Sequence, residues 1–446
     1  MPGSPGAESL SAADASNVIL DAVDQVNVFL MAGILAPGGF VAADGRADLE
    51  RLRGVVADRL DDPSLSGLRR FSQRIGGTKR RPVWETSSPD LALHVREVGR
   101  VAGTEGLAAL CASLMTTPLP AGRPLWELLV VPGATDAGTG IILRIHHAVA
   151  DGVAGVRLAQ QLFDAGVAPE APATPRPRVR APRPRVRAPR QRKGALRRFW
   201  GSLSRLAAMF GVQLGPTVLL GPISTRRGIT FGDVPLDDMS RGARAAGGTV
   251  NDGLLAAVAA AAAAALTSAG EPVPDELPAS IPVALPDRGN SGNAVGVMMV
   301  PLPLNEPDLG ARIARIALVT TAAKTEAREQ GTYELTRSRW GTRIFAILAR
   351  RQRFIALFVT NVRGPEQPLS LDGAPLERAW PVTPIQGNVR LGVSAISYAG
   401  RLECVAHVDA EALDAAAVER ALEDELARVC QLRLAQVQRR PSPDTL

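Results

Sequence analysis

The spacing of apolar residues switches repeatedly between a period near 3.6 and a period of two, and each switch marks an element. Helical spacing appears in "LERLRGVVADRL" (49–60), "GLAALCASLMTT" (106–117) and "GVAGVRLAQQLFDAG" (152–166), the last closed by Gly166. "LALHVREV" (91–98), "PLWELLVV" (124–131) and "IILRIHH" (141–147) predict strands. Farther on, "TVNDGLLAAVAAAAAAALTSAG" (249–270) predicts a helix opened by Thr249, with Asp252 three residues later in a capping-box pattern. Strands follow at 279–285, 294–303, 354–362, 388–400 and 401–409, and a helix at 415–437 ends the pattern. Strands and helices mixed in both parts of the chain predict α/β layers.

Composition refines this picture. A chain of 446 residues can build two halves, each with its own core. Aromatic residues make up only 4%, so those cores must be aliphatic. The longest apolar run, "LLAAVAAAAAAAL" (254–266), is mostly alanine and too short to span a bilayer, which predicts a buried core helix. The first residues lack a basic stretch leading into an apolar one, so no secretory leader is expected. Cys111, Cys404 and Cys430 are widely spaced, which predicts neither a disulfide framework nor a zinc site and fits a reducing compartment.

The net charge of +7 has one local source. Eleven basic residues and no acid fall between Arg176 and Arg198, within "TPRPRVRAPRPRVRAPRQRKGALRR", and the rest of the chain is net acidic. Proline at this density excludes helix and sheet, and like charges repel, so an extended linker is expected over 169–199. It separates an N-terminal half (8–168) from a C-terminal half (200–437). The stretch 195–214 follows with Leu196, Phe199, Leu203, Leu206 and Phe210 at helical spacing among arginines, a pattern that suits an interfacial amphipathic helix or packing on the second half. The basic run suits a linker or an anionic membrane surface. Nucleic acid is not expected, because no aromatic residues interleave with the arginines.

Two of the four histidines sit in "IHHAVADG" (145–152). A period of two places His147 with Ile141, Leu143 and Ile145, and His146 on the opposite face with Arg144. The two rings then point apart unless the strand breaks between them. Burial on the aliphatic face lowers an imidazole pKa and leaves a neutral ring able to accept a proton. Read from these residues alone, the pair serves as core filling or as a general base. Asp151 can cap the following helix or pair with an arginine, and Gly152 allows another backbone to approach. No partner stands at zinc-ligand spacing, and no metal is expected. Nucleophile-elbow, P-loop and dinucleotide-binding glycine motifs are absent from the sequence.

"HHAVADG" fits the HHxxxDG signature of the CoA-dependent acyltransferase superfamily, and the flanking segments resemble the bacterial wax ester synthase/diacylglycerol acyltransferases. The resemblance is carried, in order, by "LSAADA" (10–15), "RPLWELLVV" (123–131), "IHHAVADGVAG" (145–155), "GGTVNDGLLAAV" (247–258), "IPVAL" (281–285), "GNAVG" (292–296), "TNVRGP" (360–365) and "SAISYAGRLECVAHVD" (394–409). It implies two similar chloramphenicol-acetyltransferase-like α/β halves joined by a long crossover, with an active-site channel at their interface. His147 would be the general base, supported by His146, with Asp151 and Gly152 shaping the loop. Asn251 would donate to the oxyanion, beside Asp252. Pro124, Leu125 and Trp126 would pack behind the histidine strand. Asn361, Gly364 and Pro365 would form a tight turn lining the channel.

The resemblance further implies transfer of a long acyl group from acyl-CoA to the hydroxyl of diacylglycerol or a fatty alcohol, without a covalent acyl-enzyme. Acyl-CoA would be a co-substrate, with no bound cofactor. Both substrates are lipids or carry lipid chains, so a cytoplasmic protein attached peripherally to the inner membrane or lipid droplets through 171–214 is expected. Two other readings keep the motif: a condensation-type acyltransferase fed by a carrier protein, and a lipid-binding paralogue of low activity. The sequence departs from the family at three places. Pro120 stands where an acid is usual before the PLW segment, and Arg363 where proline is usual. Pro286 replaces the arginine expected to pair with Asp151, leaving Arg288 or Arg144 as substitutes. His94 and His407 are expected to be structural, and Tyr398 to fill core or touch an acyl chain.

Overall fold

The computed structural model describes residues 8–21, 25–78, 81–136, 138–165, 213–284, 295–330 and 349–433. The linker 169–199, the stretch 195–212, and Pro286 and Arg288 lie outside the described residues. The first half begins with β1 (Glu8–Ser9), α1 (Ala12–Leu20), β2 (Val28–Leu35) and α2 (Leu49–Asp61). It continues through β3 (Gln73–Thr78), β4 (Arg81–Thr86), α3 (Leu91–His94) and β5 (Val95–Glu97). Then come α4 (Gly103–Leu114), β6 (Trp126–Val131), β7 (Thr139–His146), α5 (Gly152–Leu162) and β8 (Asp164–Ala165).

The second half opens with β9 (Arg227–Pro235), α6 (Leu236–Ala245) and α7 (Val250–Ser268). It runs on through β10 (Glu276–Ala284), β11 (Val295–Pro303), α8 (Leu309–Gln330) and β12 (Leu357–Arg363). Last are β13 (Leu369–Leu371), β14 (Ala374–Val382), β15 (Leu391–Tyr398), β16 (Arg401–Asp409) and α9 (Ala415–Gln431).

Two large mixed sheets organise these elements. One has the order β5-β6-β7-β2-β14-β13-β8 and the other β11-β10-β12-β15-β16-β9. A small sheet, β1-β4-β3, stands apart. Every residue of β6 and β7 is buried, so both faces of these central strands are covered and their sequences read as near-continuous apolar runs. Among the polar exceptions, Arg144 donates to Glu127 Oε2 at 2.6 Å and to the carbonyls of Leu114 (3.1 Å) and Thr117 (2.6 Å), while its Nε has no partner among the described residues. In the second half, α7 is a core helix, with Ala256, Ala257, Ala259, Ala261, Ala262 and Ala265 buried in one cluster with Met239, Leu422, Leu426 and Val429. Alanine on every side lets α6 and α9 close on it without leaving voids.

The predicted elements are recovered with four corrections. Residues 91–94 form a helical turn before β5, because the Asp90 carboxylate accepts the Ala92 N–H at 3.0 Å and caps it. The helix after Asp151 stops at Leu162, since Asp164 and Ala165 pair with β13. The strand carrying the histidines stops at His146. The halves are also not closed at 168: β13 and β14, from the second half of the sequence, join the first half's sheet, β14 pairing with β2. Without β14, β2 would present an unpaired edge.

The exchanged strand is bound to the second sheet by charge. Arg378 on β14 donates through Nε to Glu403 Oε1 at 2.9 Å, reaches Asp233 on β9, and lies 5.1 Å over the Trp380 ring. Glu403 is fully buried; desolvation raises its pKa and Arg378 opposes that rise. Removing one partner of such a pair leaves a buried charge without compensation. Arg378→Ala should therefore cost about 3 kcal/mol in urea unfolding, and adding Glu403→Gln should recover part of the loss. A double variant no more stable than Arg378→Ala would contradict this account.

Candidate active site

β7 ends where the chemistry begins. The His146 N–H donates to the Leu125 carbonyl at 3.1 Å, and the His146 carbonyl accepts the Val149 N–H at 2.9 Å, closing a turn over 147–149. The alternation that would send the two rings to opposite faces therefore stops one residue short of His147. His146 is buried, and its Nδ1 accepts the Ala148 N–H at 2.9 Å. That leaves the proton on Nε2, which faces Asp21 Oδ2 at 3.4 Å. Both ring nitrogens of His146 thus face partners within the protein.

His147 is held by its backbone from two sides. Its N–H donates to the Asn27 carbonyl at 2.9 Å, and its carbonyl accepts from Asn17 Nδ2 at 3.1 Å. Asn27 Nδ2 donates to both Asn17 oxygens, at 3.0 Å to the carbonyl and 3.1 Å to Oδ1. Gln386, from the second half, donates to Asn27 Oδ1 at 2.7 Å, and Gln25 exchanges two hydrogen bonds with Gly387. Sequence reasoning missed these carboxamides. They belong to none of the motif's residues and are brought together from 10 to about 360 positions apart.

The His147 ring packs on Phe29, centroids 5.0 Å apart and tilted by 56°. Desolvation, reinforced by the neighbouring His146, lowers its pKa to about 4, so the ring is neutral near pH 7. Yet His147 alone in the stretch 139–151 escapes burial, between Ile145 and His146 at 1% and 3% exposure and Ala148 at 1%. The residue is thus enclosed deeply enough to lose its charge while staying partly accessible to solvent. Asp151 caps α5, its Oδ1 accepting the Ala154 N–H at 2.8 Å. Arg144 does not reach it, being spent on Glu127 and two carbonyls. A Cβ at Gly152 would stand 3.5 Å from Val362 Cγ2, an ordinary contact with a side chain, so no backbone approach demands glycine there.

Strand β12 carries the site into the second half. Val362 contacts the loop at Gly152, while Asn361 Nδ2 donates to Asn251 Oδ1 at 3.4 Å. Asn251 lies in the first turn of α7, and its Nδ2 is buried with no hydrogen-bond partner among the described residues. A carboxamide held by its oxygen with its donor left over, at a helix N-terminus, suits an arriving negative charge. Asp252 does not share that role. Its Oδ2 accepts from the Thr249 N–H (2.8 Å) and hydroxyl (2.7 Å), and its Oδ1 accepts from the Thr320 hydroxyl at 2.7 Å. Among the described residues no group of His, Cys, Asp or Glu side chains is arranged to hold a metal ion.

Comparison with known proteins decides which chemistry this arrangement serves. Residues 10–214 match the wax ester synthase/diacylglycerol acyltransferase catalytic domain, and residues 291–429 match the C-terminal domain of the same family. The chain belongs to the wax ester synthase/diacylglycerol acyltransferase family. It is an acyltransferase. A relative from Mycobacterium tuberculosis, described as a probable diacylglycerol O-acyltransferase, is 28% identical over 89% of this chain and 91% of its own. The solved wax ester synthase/diacylglycerol acyltransferase of Marinobacter aquaeolei shares the fold, with a TM-score of 0.68 at 21% identity over 95% of this chain and 98% of that one. Polyketide synthase associated protein 5 of M. tuberculosis also shares it, at a TM-score of 0.57 and 15% identity over 95% of this chain and 98% of its own.

Within this family frame the remaining residues fall into place. Pro124, Leu125 and Trp126 are buried, and they lie beside the histidine strand in the same sheet rather than behind it. Trp126 pairs with Ile145, stacks on Phe71 at 4.7 Å and donates through Nε1 to the Phe71 carbonyl at 2.9 Å. Asn361 is a strand residue facing Ala395 across β15, not part of a turn. Gly364 continues the pairing through its N–H to the Ser397 carbonyl (3.0 Å), and a Cβ there would stand 2.5 Å from that oxygen. The Pro365 carbonyl accepts the Ala399 N–H at 3.2 Å. Tyr398 is core: its hydroxyl donates to the Leu376 carbonyl at 2.6 Å and accepts the Leu369 N–H at 2.9 Å. His94 and His407 bond carbonyls of Trp126 and Thr383, each at 2.8 Å.

Desolvation lowers the pKa of His407, like that of His147, to about 4. The unfolded chain titrates near 6.5, so below that pH it binds protons the folded state refuses, and stability falls as pH drops toward 4. His407 alone should cost about 2 kcal/mol between pH 7 and pH 5. Urea unfolding at the two pH values measures it; equal stabilities would contradict a neutral buried ring.

Proposed function

We propose that the protein transfers a long acyl group from acyl-CoA to the hydroxyl of a diacylglycerol or a fatty alcohol, with His147 as general base. The neutral ring takes the hydroxyl proton as the oxygen forms its bond to the thioester carbonyl carbon. The Asn251 carboxamide donates to the resulting oxyanion. Collapse breaks the carbon–sulfur bond, and His147 returns the proton to the thiolate, leaving an ester and free CoA. No covalent acyl-enzyme forms and no bound cofactor takes part. The observation that carries this reading is that His147 is uncharged and yet the accessible residue in an otherwise buried run. The mycobacterial relative's description supports the acceptor class.

We further place the protein at the cytoplasmic face of the inner membrane or at lipid droplets, attached peripherally through 171–214. The basic run and the apolar spacing of 195–214 support this. Deleting 171–193 should weaken binding to anionic vesicles; unchanged binding would overturn the attachment. A second reading draws on the fold shared with polyketide synthase associated protein 5, and takes the acyl group from a carrier protein. Replacing palmitoyl-CoA by an acyl-carrier donor in one assay separates the two.

Purified protein given palmitoyl-CoA with diacylglycerol or hexadecanol should form ester. His147→Ala should lower the rate by about 10²–10⁴-fold, and Asn251→Ala by about 10–10³-fold. Equal rates in wild type and His147→Ala would remove the mechanism. The acid limb of kcat/KM should fall near pH 4 rather than 6.5, because the free enzyme's base is protonated only there.

A further inference from the structure

Gly155 is the fourth residue of α5 and is buried. Glycine inside a helix costs about 1 kcal/mol relative to alanine, so a reason for it must lie in packing. A Cβ at this position would stand 2.7 Å from both Cε2 and Cζ of Phe29, well inside van der Waals contact. Those two atoms are the tip of the ring that packs on His147 at 5.0 Å. Phe29 in turn sits on β2 opposite Ile145, one register step from the Val28–His146 pair that ends the ladder. Phe29 therefore touches both the helix at Gly155 and the imidazole, and the missing methyl group makes room for its ring tip.

His147 lies one residue beyond β7, and the Asn17 and Asn27 bonds act on its peptide while Phe29 packs on its ring. We propose that Gly155 and Phe29 act as a positioning pair for His147, the absent side chain at 155 letting the Phe29 ring lie where it fixes the orientation of the imidazole. Neither residue touches the reacting atoms. The inference rests on His147 being the base.

Activity of the full-length protein with palmitoyl-CoA and hexadecanol tests it through coupling of two substitutions. Gly155→Ala pushes the ring tip toward His147 and should lower kcat by about 30- to 100-fold, with KM for palmitoyl-CoA within about twofold. Phe29→Leu removes the two crowded atoms and should cost about threefold. The double variant should return to the Phe29→Leu level, a non-additivity expected only if the two act through one contact. A purely structural glycine would lower the melting temperature of Gly155→Ala and leave kcat of the folded protein unchanged, which overturns the proposal. A double variant as slow as Gly155→Ala overturns it too.

Should Gly155→Ala not fold, Phe29→Leu carries the test alone. Its kcat should fall about threefold with KM for palmitoyl-CoA within about twofold; a wild-type kcat overturns the pairing. His147→Ala is measured alongside. If it retains activity, the base assignment fails; if it is inactive while Gly155→Ala matches wild type, only the positioning pair fails.

Discussion

An imidazole that must be neutral, fixed and reachable at once is the constraint around which this site is built. Surrounding it with apolar groups removes the charge but supplies no direction. A carboxylate beside it would supply direction and bring the charge back, because an anion within a few ångströms favours the imidazolium. The protein meets both demands with uncharged partners. Asn17 and Asn27 hold the His147 peptide through an amide and a carbonyl, and Phe29 faces its ring. The nearby acid, Asp21, is directed to His146, whose other nitrogen is already taken by a backbone N–H. The first histidine of the motif thereby stands between a carboxylate and the second, and the second keeps its low pKa.

The hold on His147 is assembled from both halves, and the exchanged strand explains how it stays in register. β14 pairs with β2, and β2 pairs with β7, so one continuous ladder runs from the second half's sequence to the histidine strand. Gln386 lies four residues beyond β14 and reaches Asn27, one residue before β2. Arg378, on the same strand, binds Glu403 and Asp233 of the other sheet. Tilting one sheet against the other would strain the carboxamide bonds at Asn27 and this ion network together. The site's precision is thus borrowed from strand pairing, which is rigid, rather than from the loop itself.

Local sequence carried much of this and long-range sequence little. The capping pattern at Thr249 and Asp252, the buried alanine helix and the aliphatic strands follow from spacing within a few residues, and the fold has them. His147 and the PLW segment were legible through a motif whose spacing is short. What spacing could not reveal is where a ladder stops. One residue's difference at His146 replaces opposed rings by a turn, with the first ring bonded to Ala148 and Asp21 and the second packed on Phe29. Nor could it reveal partners such as Asn17, Gln386 or Phe29, since nothing in a carboxamide or a phenyl ring announces a distant neighbour. The acid at 252 misled for a related reason. An Asn-Asp pair at a helix start looks like two polar groups awaiting a ligand, until Thr320 is found against the second of them.

That pair shows how one turn of helix separates stability from binding. Asp252 accepts three hydrogen bonds and closes the N-terminus of α7, so its charge is spent inside the protein. Asn251 has its oxygen taken by Asn361, and its buried Nδ2 has no acceptor among the described residues. A buried donor without an acceptor costs about 1–3 kcal/mol, and that cost persists only until something negative arrives. Asn361 holds the Asn251 carboxamide from the second sheet, and Asp252 keeps the end of that helix from fraying. The unsatisfied nitrogen stands beside a satisfied carboxylate, which ties down the same helix end through three hydrogen bonds.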